Sequence, residues 1–137
     1  MGGPPWPLPV ALLVVASVTQ VVGLVALALA APDLAAGRWY GPTQLGAAHL
    51  LGLGFLTLTI FGALLQLVPV LIRQTLGRTS VMAAAGGALS VGGWSMALGL
   101  WTATPAAIGF GGSLTVCALL VLAGALVAVL VSSRGDE

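Results

Sequence analysis

Four long apolar runs, separated by short polar stretches, organise this chain. The first covers residues 10–31 and is interrupted only by Ser17, Thr19 and Gln20. The second covers 45–72, the third 81–101 and the fourth 106–131. About 20 consecutive apolar residues suffice for a helix to cross the hydrocarbon core of a bilayer. The pattern therefore predicts an all-α integral membrane protein with four transmembrane helices, arranged as an up-down bundle or an arc. No linker, repeat or composition shift divides it, so residues 1–137 are read as a single four-span domain.

The punctuation between the runs sets the expected boundaries. Pro4, Pro5, Pro7 and Pro9 place Met1–Pro9 outside a helix, at the membrane surface, where Trp6 suits the interface. Ala28-Leu29-Ala30 has the form of a signal-peptidase site. No Lys or Arg precedes the run, and it is longer than a signal h-region, so it is read as a retained span. The first loop, Pro32–Gln44, carries Asp33, Arg38 and the interface pair Trp39-Tyr40, and Thr43 is the expected N-cap of the second span. Pro69 is expected to bend that span near its end, before the polar turn Arg73–Arg78. The third span is rich in small residues, and Ala83/Gly87 and Gly86/Ser90 are small-xxx-small pairs that let helices approach closely in lipid. Thr102–Pro105 is a tight turn, Gly109, Gly112 and Ser113 give the fourth span a small face, and Ser132–Glu137 is a polar tail.

Composition agrees. Of 137 residues, 59% are hydrophobic and 5% charged, and the mean hydropathy is +1.15, whereas a soluble domain carries about a quarter charged residues. Lysine is absent and the net charge is +1, so there is no basic patch for a nucleic acid. Arg73, Arg78 and Arg134 lie on one side of the expected topology and Arg38 on the other. The positive-inside rule then puts both termini in the cytoplasm, in a multi-pass protein of the cell's inner (plasma) membrane. The single Cys117 cannot close an intrachain disulfide and is expected as a small buried apolar residue.

The apolar spans contain one histidine, His49, and no Asp, Glu or Lys. An ionisable group in hydrocarbon is costly without a partner, which makes His49 the leading functional candidate. Lying about four residues into its helix, it is expected roughly 6–8 Å below the outer boundary. At helical spacing of three and four, His49, Gly52, Leu56, Thr59, Ala63, Gln66, Val70 and Arg73 form one stripe. Gly52 leaves room beside the imidazole for a large planar ring, as haem ligation requires. Phe55 and Trp94 are candidate walls for such a ring, though aromatics in spans commonly just pack. Thr59 and Gln66 are assigned chiefly to interhelical hydrogen bonding. With no Cys-x-x-Cys, His-x-x-x-His or nucleophile, base and acid set, one chain builds neither a zinc site nor a catalytic triad. A site with two or three histidines needs several copies of the chain.

The run Ala48-His49-Leu50-Leu51-Gly52-Leu53-Gly54-Phe55-Leu56-Thr57-Leu58-Thr59-Ile60-Phe61-Gly62-Ala63-Leu64-Leu65-Gln66-Leu67-Val68-Pro69 resembles the second helix of haem–copper oxidase catalytic subunits, the C-type most of all. In that family this helix enters from the outer side, and its early histidine ligates the low-spin haem. The resemblance thus implies His49 as an axial ligand. The family's subunit is built as three four-helix arcs with pseudo-threefold symmetry, and this chain is similar to one arc. Counterparts of the copper-holding histidines, the cross-linked tyrosine and the proton-channel carboxylates are missing, so oxygen reduction coupled to proton pumping is not expected.

The sequence reading is a small cytochrome b-like membrane protein without independent enzymatic activity. His49, Gly52, Phe55 and Thr59 are its cofactor-binding candidates, and His49 is its metal ligand. Haem b is the expected cofactor, with copper or another metal as a variant. The partners are the lipid bilayer and further copies of the chain. A dimer could place two His49 rings on one haem, and a trimer, favoured by the resemblance, could hold one haem per histidine or an axial ion. Electron transfer, haem handling and sensing of a small gas are the roles considered, with an unidentified redox partner. Two alternatives stand beside it: a structural or assembly subunit in which His49 is an interhelical hydrogen-bonding residue, and a histidine-lined conduit for a metal or small solute at an oligomer axis.

Overall fold

The computed structural model describes residues 7–134 and is helical apart from the connecting turns, without strands among them. Four helices in it are long and apolar enough to cross a membrane. Helix α1 (Pro7–Leu29) starts three residues before the expected Val10. Prolines in a first turn cost nothing there, because the amides they lack have no intrahelical acceptor. Trp6 and the rest of Met1–Trp6 lie outside the described residues. Pro9, Leu12, Ala16, Thr19, Gly23 and Ala26 recur at steps of three and four and form the buried face of α1. Val10, Val14, Val18 and Val21 are exposed on the opposite side.

The expected first loop contains a short helix, α2 (Ala31–Ala35). The second span then begins at Pro42, not at Leu45, because Gly41 in extended conformation (φ −72°, ψ 160°) is the N-cap and Pro42 follows at a position where it needs no amide. Thr43 is therefore inside the helix and is not its cap. This span of 31 residues is made of α3 (Pro42–His49), a π-helical segment (Leu50–Thr57) and α4 (Leu58–Ile72). Pro69 lies inside α4, and Arg73, in left-handed conformation (φ 58°), ends it. Helix α5 (Thr79–Trp101) and helix α6 (Pro105–Arg134) complete the chain, α6 continuing through the residues expected to begin a polar tail.

The spans pack in an open order. α1 lies along the whole second span, α5 packs on α3 and the π segment much more than on α4, and α6 packs extensively on α5 alone. Leu12 and Ala16 of α1, Leu58 and Phe61 of α4, Leu89 of α5 and Ala118 and Leu122 of α6 belong to one buried core cluster, in which Leu58 and Phe61 are at most 1% exposed. Lipid tails are as apolar as these side chains, so the helices are held by close packing and not by escape from water. The α5–α6 contact shows how close: a Cβ on Gly111 would fall 2.5 Å from the Gly92 carbonyl oxygen and 2.6 Å from the Met96 amide nitrogen.

The small residues in contact are only in part those expected. Ala83 and Gly87 are exposed, and nothing lies within 4 Å of a Cβ placed on Gly87, Gly109 or Gly112. Ser113 is exposed and bonds the Gly109 carbonyl of its own helix. Gly86 is buried against Leu12 and Phe61, while Gly92, Gly99 and Gly111 carry the α5–α6 contact. Cys117, expected to be buried, is exposed on α6, because the α6 face that meets α5 runs through Gly111, Thr115, Ala118 and Leu122.

Candidate functional site

His49 is the last residue of α3 and the N-cap of the π segment. Its position along the span is fixed from both sides. Toward the loop end, Trp101 of α5 donates its indole N–H to the Thr43 carbonyl at 3.3 Å and lies over Gly46, where a Cβ would meet the ring at 2.1 Å. Beyond His49, Gly54 packs on Thr19 of α1 and on Gly93 of α5. Thr19 is itself held, donating to the Val15 carbonyl at 2.8 Å and accepting the Trp94 indole N–H at 3.1 Å. The backbone bearing the imidazole is therefore clamped between two glycine-mediated contacts.

The side chain is oriented as well. His49 is half-buried, and its Nδ1 lies 2.7 Å from the Leu45 carbonyl oxygen one turn back. A carbonyl only accepts, so Nδ1 carries the proton, and in the neutral ring Nε2 holds a lone pair. The imidazole makes no other hydrogen bond among the described residues. Metal-ligating histidines commonly donate their second ring N–H in this way, which fixes tautomer and ring direction. One turn on, a Cβ at Gly52 would meet nothing within 4 Å.

The π segment changes what shares a face with His49. The Thr57 hydroxyl donates to the Gly52 carbonyl, five residues earlier, at 2.8 Å, and so supports the wider i→i+5 turn. Leu50, Gly54 and Leu58 are buried at successive steps of four. In an α-helix each such step over-rotates by about 40°, and the π turn absorbs that drift, keeping all three on the core side. A stripe drawn at α-helical spacing from His49 to Gln66 does not survive this passage. His49 and Gly52 stay together before and within the segment. Thr59 and Gln66, both half-buried, follow it in a different register, and Phe55 packs against the core cluster. Trp94 faces Thr19 of α1.

The donor set of one chain fits an axial ligand to haem or one ligand to a metal ion, namely His49 Nε2 beside the open flank of Gly52. It does not enclose a ring. No three His, Cys, Asp or Glu side chains converge among the described residues, so a multidentate site draws on further copies.

The loop at this end carries the one ion pair among the described residues, Arg38 with Asp33. The Arg38 guanidinium, by hydrogen bond and then by charge, holds the Asp33 carboxyl below the usual carboxylate range, and Gln44 adds a smaller pull. Gln44, 5% exposed, donates to the Arg38 carbonyl at 3.2 Å and ties the loop to α3. Trp101, Gly46 and Thr57 are the positioning residues that spacing alone does not reveal, since each acts through a contact made by the fold. Comparison of the chain with protein-family models, with curated proteins and with solved structures finds no match.

Proposed function

We propose that this chain is a small multi-pass membrane protein that holds haem b, or a metal ion such as copper, through His49 Nε2 at an interface between copies. Both termini face the cytoplasm in this reading, with His49 in the outer half of the inner membrane. The observation that carries it is the Nδ1–H to Leu45 carbonyl bond, which leaves a directed lone pair at a half-buried position flanked by the open side of Gly52. An unligated lone pair there would have only lipid to face, an expensive arrangement for a polar group. Bound haem would supply one-electron chemistry, and the chain's part is to orient the imidazole, exclude water and place the ring among apolar helices. Electron transfer or haem handling follows from that, without an independent enzymatic activity.

The open packing order supports an assembly. α1 and α6 are free edges, since α6 packs extensively only on α5, and copies of the chain can meet there. A three-fold assembly matches the resemblance to one arc of an oxidase, and a two-fold assembly would allow two His49 rings on one haem. The purified oligomer is expected to show a Soret band that His49→Ala removes while the oligomer survives. A colourless protein from haem-replete cells, unable to take up added haem, defeats the proposal. Full tolerance of His49→Gln without stoichiometric haem or metal would assign the residue to structure alone.

A further inference from the structure

At the end of the molecule opposite the Trp101 clamp, contact between the second span and α5 thins, because α5 packs on α3 and the π segment much more than on α4. The start of α1 lies against the gap. The result is an apolar cleft of about 50 Å³ with walls from Leu8 and Pro9 of α1, Leu65 and Pro69 of α4 and Met82 of α5. Thr75 and Thr79 line its rim, and both are exposed. Their hydroxyls make no hydrogen bond among the described residues.

Two arginines adjoin the lining residues along the chain. Arg73 follows the last residue of α4, and Arg78 sits between Gly77 and Thr79, both of which line the cleft. Both arginines are exposed, and the one ion pair among the described residues lies at the other end. The cleft is far smaller than the few hundred Å³ of a site for a soluble ligand. It can seat a short stretch of hydrocarbon. Inside a bilayer a chain gains nothing by leaving one apolar neighbour for another, so selection must come from the charged end. Guanidinium groups at the membrane surface favour phosphate-bearing anionic lipid.

We propose that the cleft beside Arg73 and Arg78 is a binding site for one anionic phospholipid, its phosphate on the arginines and the upper part of one acyl chain between Pro9, Leu65 and Met82. The site is independent of His49.

The test is native mass spectrometry of the full chain in micelles equilibrated with phosphatidylglycerol or with phosphatidylcholine. One phosphatidylglycerol per chain is expected, held roughly thirtyfold more tightly than phosphatidylcholine, from two arginines at the surface. Arg73→Gln with Arg78→Gln should erase that preference, and Arg38→Gln at the other end should leave it intact. Thr79→Phe at the rim should reduce retention although both arginines remain, and excess inorganic phosphate should not displace the lipid. Equal retention of the two lipids by the native chain overturns the proposal. So does an equal loss in Arg38→Gln. Undiminished retention in Thr79→Phe would mean headgroup attraction without a seated chain, which also overturns it.

Discussion

Two glycines in the π segment, Gly52 and Gly54, lie two residues apart and should respond to the same substitution in opposite directions. At Gly52 a new Cβ meets nothing within 4 Å, so Gly52→Ala adds only the conformational advantage of alanine, about 1 kcal/mol or less. At Gly54 the Cβ would lie 2.4 Å from Thr19 Cγ2, and ordinary contact begins near 3.4 Å, so Thr19 must retreat by about 1 Å. Thr19 cannot do so freely, because its hydroxyl accepts the Trp94 indole N–H at 3.1 Å. Overpacking of about 1–3 kcal/mol and a disturbed hydrogen bond of about 1 kcal/mol outweigh the helix gain, leaving Gly54→Ala about 2 kcal/mol less stable. Reversible SDS unfolding of the purified chain, followed by circular dichroism, should then separate the two variants by about 3 kcal/mol. Gly52→Leu tests the proposed haem site: the fold should hold, and if His49 holds haem as proposed, the Soret band should fall as the side chain occupies the flank of the imidazole. If Gly52→Ala costs as much as Gly54→Ala, or Gly52→Leu keeps its full haem content, the flank is not the open approach described above.

Two further outcomes follow from the packing. Gly111→Ala should weaken the attachment of α6 by about 2 kcal/mol, since its Cβ meets backbone atoms that cannot move aside. Gly112→Ala, one residue on and open, should be neutral or stabilising, and equal effects of the two in the same unfolding assay would refute the contact geometry. Thr57→Val should remove the bond to the Gly52 carbonyl, cost about 1 kcal/mol and speed hydrogen exchange across Leu50–Thr57, whereas Thr57→Ser should restore both. Native exchange in the valine variant would show that the hydroxyl does not sustain the wide turn.

Much of the architecture was legible because hydropathy reports the bilayer directly. The four runs and the turns Arg73–Arg78 and Thr102–Pro105 needed no knowledge of contacts. The start at Pro7 is not legible while proline counts as a breaker, although at a first turn it is harmless, and at Pro42 the cap is Gly41, one residue before the proline, where a side-chain search selects Thr43. The π segment was hidden because a stripe at α-helical spacing assumes the period it is meant to test, so His49 and Gly52 were grouped with Thr59 and Gln66 across a change of register. Which glycines make contact was not legible either. Gly92 and Gly111 are chemically the same as Gly87 and Gly112, and only the azimuth of α6 against α5 separates them. The Nδ1 bond of His49 to Leu45 is local, one helical turn away, yet its meaning depends on which side of the helix the fold leaves open.

That α6 packs extensively only on α5 has a consequence for how the protein is made. In the buried core cluster Leu12, Ala16, Leu58, Phe61 and Leu89 belong to the first three spans, and α6 adds Ala118, Leu122 and Val129. Every residue that clamps His49, from Thr19 to Trp101, has been synthesised before Pro105 leaves the ribosome. At about 5–20 residues per second the 30 residues of α6 take roughly 1.5–6 s more, ample time for three helices to dock in the membrane. The last span is thus added after the clamp on His49 is in place, and a chain truncated after Thr102 should still present the imidazole in its oriented form.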